Sequence, residues 1–209
     1  LSSLKTLTLP CHGSDWEDLC GFDGLFECPQ LTELGVHRLS FDALPEGLVS
    51  RLESLTLYYD EEGEEIPDLS AAVSLKYLEL DECAELLSIE GVSHLESLED
   101  LTIFNGFSID ELDPIAELHS LRKLRLVACS GCWDFGPVGD LVSLEWLTIS
   151  HTRAFEDLGW MCSLTNLDRL SLYECTGLYD IDDIVELISL TRLELNNCTN
   201  ITDGSPIGD

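Results

Sequence analysis

Two groups of cysteines are the residues whose types and spacing could do chemistry in this sequence. Cys129 and Cys132 form a C-x-x-C pair, a spacing used by redox-active dithiols and by half of a zinc site. A second group near the N-terminus could supply four zinc ligands: Cys11, His12, Cys20 and Cys28. The spacings of this second group match no standard zinc motif, and Cys129 falls at a repeated position that we expect to be buried. The sequence therefore predicts no metal site.

No catalytic signature accompanies these cysteines. The five histidines are scattered along the chain, and the motifs G-x-S-x-G, H-E-x-x-H and G-x-x-x-x-G-K-[ST] do not occur. The acidic run from Asp60 to Glu65 lacks the alternating ligand spacing of a calcium loop, so we interpret it as a solvated loop. We predict that the protein is not an enzyme and uses no cofactor.

The net charge restricts the class of partner. The 209 residues include 41 acidic and 10 basic side chains, which gives a formal charge of −31. Such a surface repels nucleic-acid phosphates and anionic lipids, which proteins normally bind through clustered Lys and Arg. We therefore expect neither a nucleic acid nor a membrane to be a partner.

A repeated sequence motif determines the predicted fold and, with it, which residues share a surface. Seven L-x-x-L-x-[LI] strings begin at intervals of 23 residues from Leu52 to Leu190, and looser copies begin at Leu4 and Leu31. A fixed period in the twenties, with one short apolar strand per unit, indicates a solenoid whose turns stack to bury a shared core. Side chains alternate along a strand, so the second and last apolar residues of each string face the core. Residues two, four and six positions after the opening Leu are then expected on the other, concave face of the sheet.

The remainder of each repeat keeps the same period. Apolar residues recur about every third position in the return segment, as in Ile109, Leu112 and Ile115, which predicts 3₁₀ or short helical turns on the convex wall. Apolar residues at near-helical spacing predict a longer helical return segment between Pro10 and Pro29. The unbroken period predicts a single domain over residues 1–209 with about nine repeats, of which the first two are irregular.

Scarce cations and exposed aromatic residues share the predicted concave face. The four cations are Lys123, Arg125, Arg169 and Arg192, all in the C-terminal half. The five aromatic residues are Tyr58, Tyr77, Phe104, Trp146 and Tyr173. Arg and aromatic side chains concentrate binding energy at protein interfaces, so these nine residues are the predicted contact site for a protein or peptide. Trp146 carries most weight in this interpretation, because a solvent-facing Trp does not serve stability. Alternatively, these side chains only neutralise the acidic field and pair with one another along the ladder of strands.

These repeats resemble those of the leucine-rich repeat family across essentially the whole chain. The resemblance implies an α/β solenoid, a horseshoe with a parallel concave sheet and short helical or 3₁₀ convex segments. The family places a buried Asn or Cys eight residues after the opening Leu, and the matching residues in this chain are Cys83, Cys129, Cys175 and Cys198. Three other repeats depart from that pattern: they carry Asp60, Gly106 and Thr152.

The cellular context is an expectation from composition and from the resemblance. Nine cysteines, an odd number that stacking leaves mostly unpaired, favour a reducing and hence cytoplasmic location. Without polar caps at its ends, the chain is expected to be a fragment of a longer protein. It resembles the sensor repeats that follow a nucleotide-binding module of the NACHT or STAND type in intracellular immune receptors, so other domains of the same chain are expected partners. The alternatives are an internalin-like bacterial surface adhesin and a static assembly scaffold.

Overall fold

One parallel sheet runs through the part of the chain that the structure describes. The computed structural model describes residues 2–9, 28–37, 44–59 and 64–208. Within these ranges nine strands each pair with the next in chain order. The strands are β1 Thr6–Leu9, β2 Glu33–His37, β3 Ser54–Tyr58, β4 Tyr77–Asp81, β5 Asp100–Phe104, β6 Lys123–Val127, β7 Trp146–Ser150, β8 Arg169–Tyr173 and β9 Arg192–Asn196. The fold class is the predicted α/β solenoid, and even the two looser copies of the repeat form strands.

Equivalent positions of successive turns lie side by side. Lys123 pairs with Trp146 across β6 and β7, and Trp146 pairs with Arg169 across β7 and β8. The same offset of 23 residues holds for every pair from β3 to β9. Side chains at one repeat position therefore form a column that crosses the strands. Residues that are 23 positions apart in the sequence are neighbours in this column.

The core lies between the sheet and the return segments. Leu121, Leu124 and Leu126 are fully buried in one turn, and Ile115 of the preceding return segment packs in the same core. Short helical segments, most of them 3₁₀ as predicted, close the convex side: Glu46–Val49, Glu90–Val92, Asp113–Glu117, Gly136–Gly139, Gly159–Met161, Asp182–Glu186 and Ser205–Ile207. Proline stands in the first turn of three of them, where its missing N–H costs nothing.

A residue in the left-handed conformation directly follows each strand from β4 to β9. Six such residues, each seven positions after an opening Leu, have φ between 54° and 59°: Glu82, Asn105, Ala128, His151, Glu174 and Asn197. This conformation costs a non-glycine residue roughly 1–2 kcal/mol. Part of that cost is offset because the turn extends the ladder: the N–H of Ala128 donates to the Ser150 carbonyl at 3.2 Å, and the N–H of His151 to that of Tyr173 at 2.9 Å.

Gly139 marks a close contact between neighbouring return segments and supplies a test of the stacking. A Cβ at this position would lie 2.1 Å from the carbonyl oxygen of Trp160, which is backbone and cannot rotate away. We predict that Gly139→Ala lowers the free energy of unfolding by about 1–3 kcal/mol, measured by urea denaturation. The matched control is Gly47→Ala, because a Cβ there meets nothing within 4 Å. If both variants unfold like the wild type, the return segments are not packed as described.

Candidate partner-binding face

Six residues form what we term the basic–aromatic patch, on the C-terminal half of the concave sheet. They are Lys123, Arg125, Trp146, Arg169, Tyr173 and Arg192. Lys123, Trp146, Arg169 and Arg192 occupy one column of directly paired positions on four consecutive strands. Arg125 lies two residues along the same strand as Lys123, so it projects from the same face. Stacking has brought together side chains that are 69 residues apart in the chain.

Trp146 lies between two cations at the centre of the patch. The Nζ of Lys123 is 4.5 Å from the centroid of the indole ring, and the Cζ of Arg169 is 5.3 Å from it. Cation–π contacts of this kind are each worth about 0.5–1 kcal/mol at exposed sites. Lys123 also forms a partly buried ion pair with Asp100, whose Oδ2 is 3.0 Å from Nζ. The indole ring is therefore flanked by a cation from each neighbouring strand.

A concave depression of about 400 Å³ adjoins this ring. It is lined by Arg125, Trp146, Thr148, Arg169, Ser171, Tyr173, Arg192 and Glu194. The Nε of Arg125 donates to the Thr102 hydroxyl at 3.1 Å, and no carboxylate of the described residues lies within ion-pair distance of this guanidinium. Arg125 is thus the cation of the patch that is best placed to receive a carboxylate from another molecule.

Glu194 organises the other side of the depression. Its Oε2 accepts hydrogen bonds from the Tyr173 hydroxyl at 2.5 Å and from the Ser171 hydroxyl at 3.0 Å, while Arg192 donates to Oε1 at 2.9 Å. The hydrogen bond from Tyr173, followed by those from Arg192 and Ser171, lowers the pKa of Glu194 to about 2. The same bond to Glu194 raises the pKa of Tyr173. Both groups therefore keep their charge states at neutral pH.

The other predicted contact residues lie on the N-terminal half of the concave face. Tyr77 is 48% exposed and adjoins a smaller depression of about 210 Å³ that Glu79 also lines. Partial burial, with Asp81 as the second cause, raises the pKa of Glu79. Partial burial also raises the pKa of Tyr58, with Glu79 and Asp81 adding to the shift. Phe104 ends β5 at the boundary with the basic–aromatic patch. The concave face is therefore acidic at one end and basic at the other.

Two expectations about the patch need correction or qualification. Trp146 is not simply solvent-facing: it is partly buried, and its Nε1–H is inaccessible and has no acceptor among the described residues. The ring therefore contributes to packing, because neighbouring side chains cover one of its edges. Three of the cations have acidic partners: Lys123 pairs with Asp100 on the neighbouring strand, while Arg169 contacts Asp168 at 3.3 Å and Arg192 contacts Glu194 within one repeat. Arg125 forms no ion pair with a described residue, and its charge partly opposes the rise in the pKa of Glu79.

Sequence reasoning missed Glu194 and the hydroxyl groups that line the depression. Glu194, Thr148 and Ser171 all stand four positions after an opening Leu, in the same column as Arg125. Reading that column for polar residues as well as for cations and aromatic residues would have identified them. Their hydrogen bonds depend on rotamers and could not have been read from spacing.

The cysteines of the described part form no chemical site. Cys129 and Cys132 are buried, and burial raises the pKa of each thiol to about 12, so neither is a thiolate at neutral pH. The Sγ of Cys175 and that of Cys198 approach backbone carbonyls of the preceding turn at 3.7 and 3.5 Å. Six cysteines of the described part are free: Cys83, Cys129, Cys132, Cys162, Cys175 and Cys198. Among the described residues, no three His, Cys, Asp or Glu side chains converge as metal ligands. Cys11, His12, Cys20 and the predicted N-terminal helical segment lie outside the described residues.

Comparison with known proteins identifies the fold. No protein-family model and no curated protein sequence matches the chain. Internalin C2 of Listeria monocytogenes matches it with a TM-score of 0.59 and 22% identity, over 78% of this chain and 70% of that one. The leucine-rich repeat domain of the type III effector XopL gives 0.55 and 22%, over 75% and 64%. The chain has the leucine-rich repeat fold.

A third similar structure is the plant peptide hormone receptor RGFR1 in complex with RGF2. It gives a TM-score of 0.51 at 15% identity, over 94% of this chain and 33% of the receptor chain. The present chain therefore spans about a third of that receptor's length. No helix in the described ranges is long and apolar enough to cross a membrane.

The hydrogen bonds to Glu194 predict a specific dependence of stability on pH. Because folding lowers the pKa of this carboxyl from 4.5 to about 2, its stabilising effect is complete above pH 4.5 and is lost as the pH falls toward 2. The difference in free energy of unfolding between wild type and Glu194→Gln should be constant above that window and shrink within it, measured by denaturant unfolding. Glu96→Gln, at an exposed return position, is the control and should follow the wild type throughout. A difference that does not change with pH would show that these bonds do not form in solution.

Proposed function

We propose that the protein is a non-enzymatic recognition module that binds a protein or peptide on its concave face. The basic–aromatic patch is the proposed centre of contact, and an acidic segment of the partner is the proposed occupant of its depression. The observation that carries this proposal is the placement of Trp146 between Lys123 and Arg169, beside the guanidinium of Arg125. Nothing in the repeat itself requires that grouping, since the strands need only their inward-facing Leu and Ile residues.

The geometry of the patch supports this proposal in two ways. The indole ring is held between two cations, so little side-chain entropy is lost when a partner packs against it. Arg125 makes a single hydrogen bond to a neutral hydroxyl, and a carboxylate could add a charge-assisted bond without breaking an ion pair. Tyr58, Tyr77 and Phe104 form a second proposed area of contact at the acidic end of the face.

A peptide ligand has a precedent in the same fold. The plant peptide hormone receptor RGFR1, which is similar in fold to this chain, was solved in complex with RGF2. At 15% identity this similarity concerns the fold alone. Exclusion of nucleic acid and of membrane from the proposed partners rests on the net charge of −31.

We propose further that this domain is the ligand-sensing part of a larger intracellular receptor of the defence type, located in the cytoplasm, with other domains of the same chain as additional partners. The buried free thiols of Cys83, Cys129 and Cys175 support a reducing compartment. The sequence of the complete gene tests this context. A nucleotide-binding module encoded beside the repeats would support it. A signal peptide and a cell-wall anchor would instead indicate a surface adhesin. A gene that encodes none of these features would indicate a static scaffold.

Selection from a random peptide library tests the concave face directly. Peptides selected on the purified domain should be rich in Asp and Glu, because Arg125 and its neighbours select for carboxylates. We predict that Trp146→Ala combined with Arg169→Glu weakens their binding by at least about tenfold, measured by isothermal titration calorimetry. The melting temperature of this double variant should fall by no more than a few degrees.

The matched control is Trp133→Ala, which removes a Trp that is 67% exposed in a return segment. Selected peptides should bind this control as they bind the wild type. Peptides that bind the double variant with undiminished affinity, while it remains folded, would show that the patch is not the site. A double variant that unfolds would show that Trp146 is structural, and Arg125→Glu alone would then decide whether the patch binds.

A further inference from the structure

Three exposed apolar side chains occupy one repeat position outside the sheet. Leu87, Trp133 and Tyr179 each stand twelve residues after an opening Leu, and they are 52%, 67% and 53% exposed. They fall in every second turn. The intervening turns carry a carboxylate at the same position: Glu64, Asp110 and Glu156.

This alternation belongs to a larger period in the sequence. The three turns that expose an apolar side chain also share a buried cysteine eight residues after the opening Leu: Cys83, Cys129 and Cys175. The turns between them carry Gly106 and Thr152 instead. From Leu75 to Ile188 the chain therefore repeats over 46 residues as well as over 23, and the exposed apolar residues are set two turns apart.

Backbone contacts fix the spacing along this row. The N–H of Leu87 donates to the Glu64 carbonyl at 3.0 Å, and the N–H of Tyr179 donates to the Glu156 carbonyl at 3.0 Å. Neighbouring turns are thus one hydrogen-bonded strand spacing apart here, about 4.8 Å, and alternate turns are about 10 Å apart. Residues i and i+7 of an α-helix are separated by about 10.5 Å. The three apolar side chains therefore match a helix whose apolar residues recur every seven positions.

An acidic column runs beside these side chains. Thirteen residues after the opening Leu, six of seven turns carry a carboxylate: Glu65, Glu111, Asp134, Asp157, Asp180 and Asp203. Five of these carboxylates are exposed, and Asp180 is partly exposed. Asp134, Asp157 and Asp180 each accept a backbone N–H through Oδ1, which orients the carboxylate. Neither position carries a Lys or an Arg from Glu64 to Asp203. We term the two columns together the acidic–apolar strip.

We infer that the acidic–apolar strip docks a basic amphipathic helix of a partner protein. The apolar residues of that helix, one in each seven, pack on Leu87, Trp133 and Tyr179, and its Lys and Arg residues face the acidic column. A second copy of this chain is a poor occupant, because two chains that each carry a charge of −31 repel one another. This inference is independent of the function proposed for the concave face, since it uses different residues and a partner of opposite charge.

The test uses two synthetic peptides of about 18 residues, long enough to span the three apolar positions as a helix. One has Leu at every seventh position and Lys elsewhere on the same face. The other has the same composition with the Leu residues distributed around the helix. Fluorescence anisotropy should show the first peptide binding at least about tenfold more tightly than the second. Equal affinities would overturn the inference, because they would mean that charge alone attracts the peptide.

Variants of the protein locate the binding. Trp133→Ser combined with Tyr179→Ser should weaken the first peptide by at least about tenfold. Tyr77→Ser, which removes a similarly exposed aromatic side chain from the concave face, should leave its affinity unchanged. All three side chains are about half or more exposed, so melting curves should match the wild type. Unchanged binding to the double variant, or an equal loss in Tyr77→Ser, would overturn the inference.

Discussion

Parallel pairing in constant register between successive turns is the constraint on which the rest of this structure depends. Each turn contacts little besides its two neighbours. The backbone hydrogen bonds and the shared Leu core between neighbouring turns therefore hold each turn in place. A slip of one residue in any strand would exchange the concave and buried sets, placing Trp146 in the core and Leu147 in solvent. The left-handed residue after each strand from β4 to β9 belongs to the same constraint, because it turns the chain toward the convex side at the same point of each of these turns.

Constant register also explains how so acidic a chain can carry a cationic patch. Columns collect residues from distant parts of the sequence, so a few basic side chains at one repeat position form a local cluster. Asp100, Asp168 and Glu194 lie beside three of the four cations, so these carboxylates offset most, but not all, of the positive charge of the patch. A partner that binds there would replace ion pairs within this chain by ion pairs with its own side chains, around the ring of Trp146. Shape and the orientation of the ring would then contribute more to selectivity than long-range attraction, which salt screens.

The periodic sequence was sufficient to predict the sheet, the inward Leu residues, the convex 3₁₀ segments and the alignment of Lys123, Trp146 and Arg169. Periodicity does not predict contacts that depend on side-chain rotamers. Whether Trp146 stands free or partly buried depends on how Lys123 and Arg169 fold over it, and the bonds to Glu194 depend on Tyr173 of the neighbouring turn. The alternation of turns was present in the sequence, but it becomes visible only when every second repeat is compared.

The most direct test of the concave-face account is a nuclear magnetic resonance titration that follows the indole N–H signals of the four Trp residues, assigned by single Trp→Phe variants. An acidic peptide selected on the domain would be the titrant. The account predicts that the Trp146 signal shifts with the same midpoint as binding, because the ring adjoins the occupied depression, while the Trp160 signal in the return segment stays in place. A Trp146 signal that does not move while the peptide binds would contradict the account.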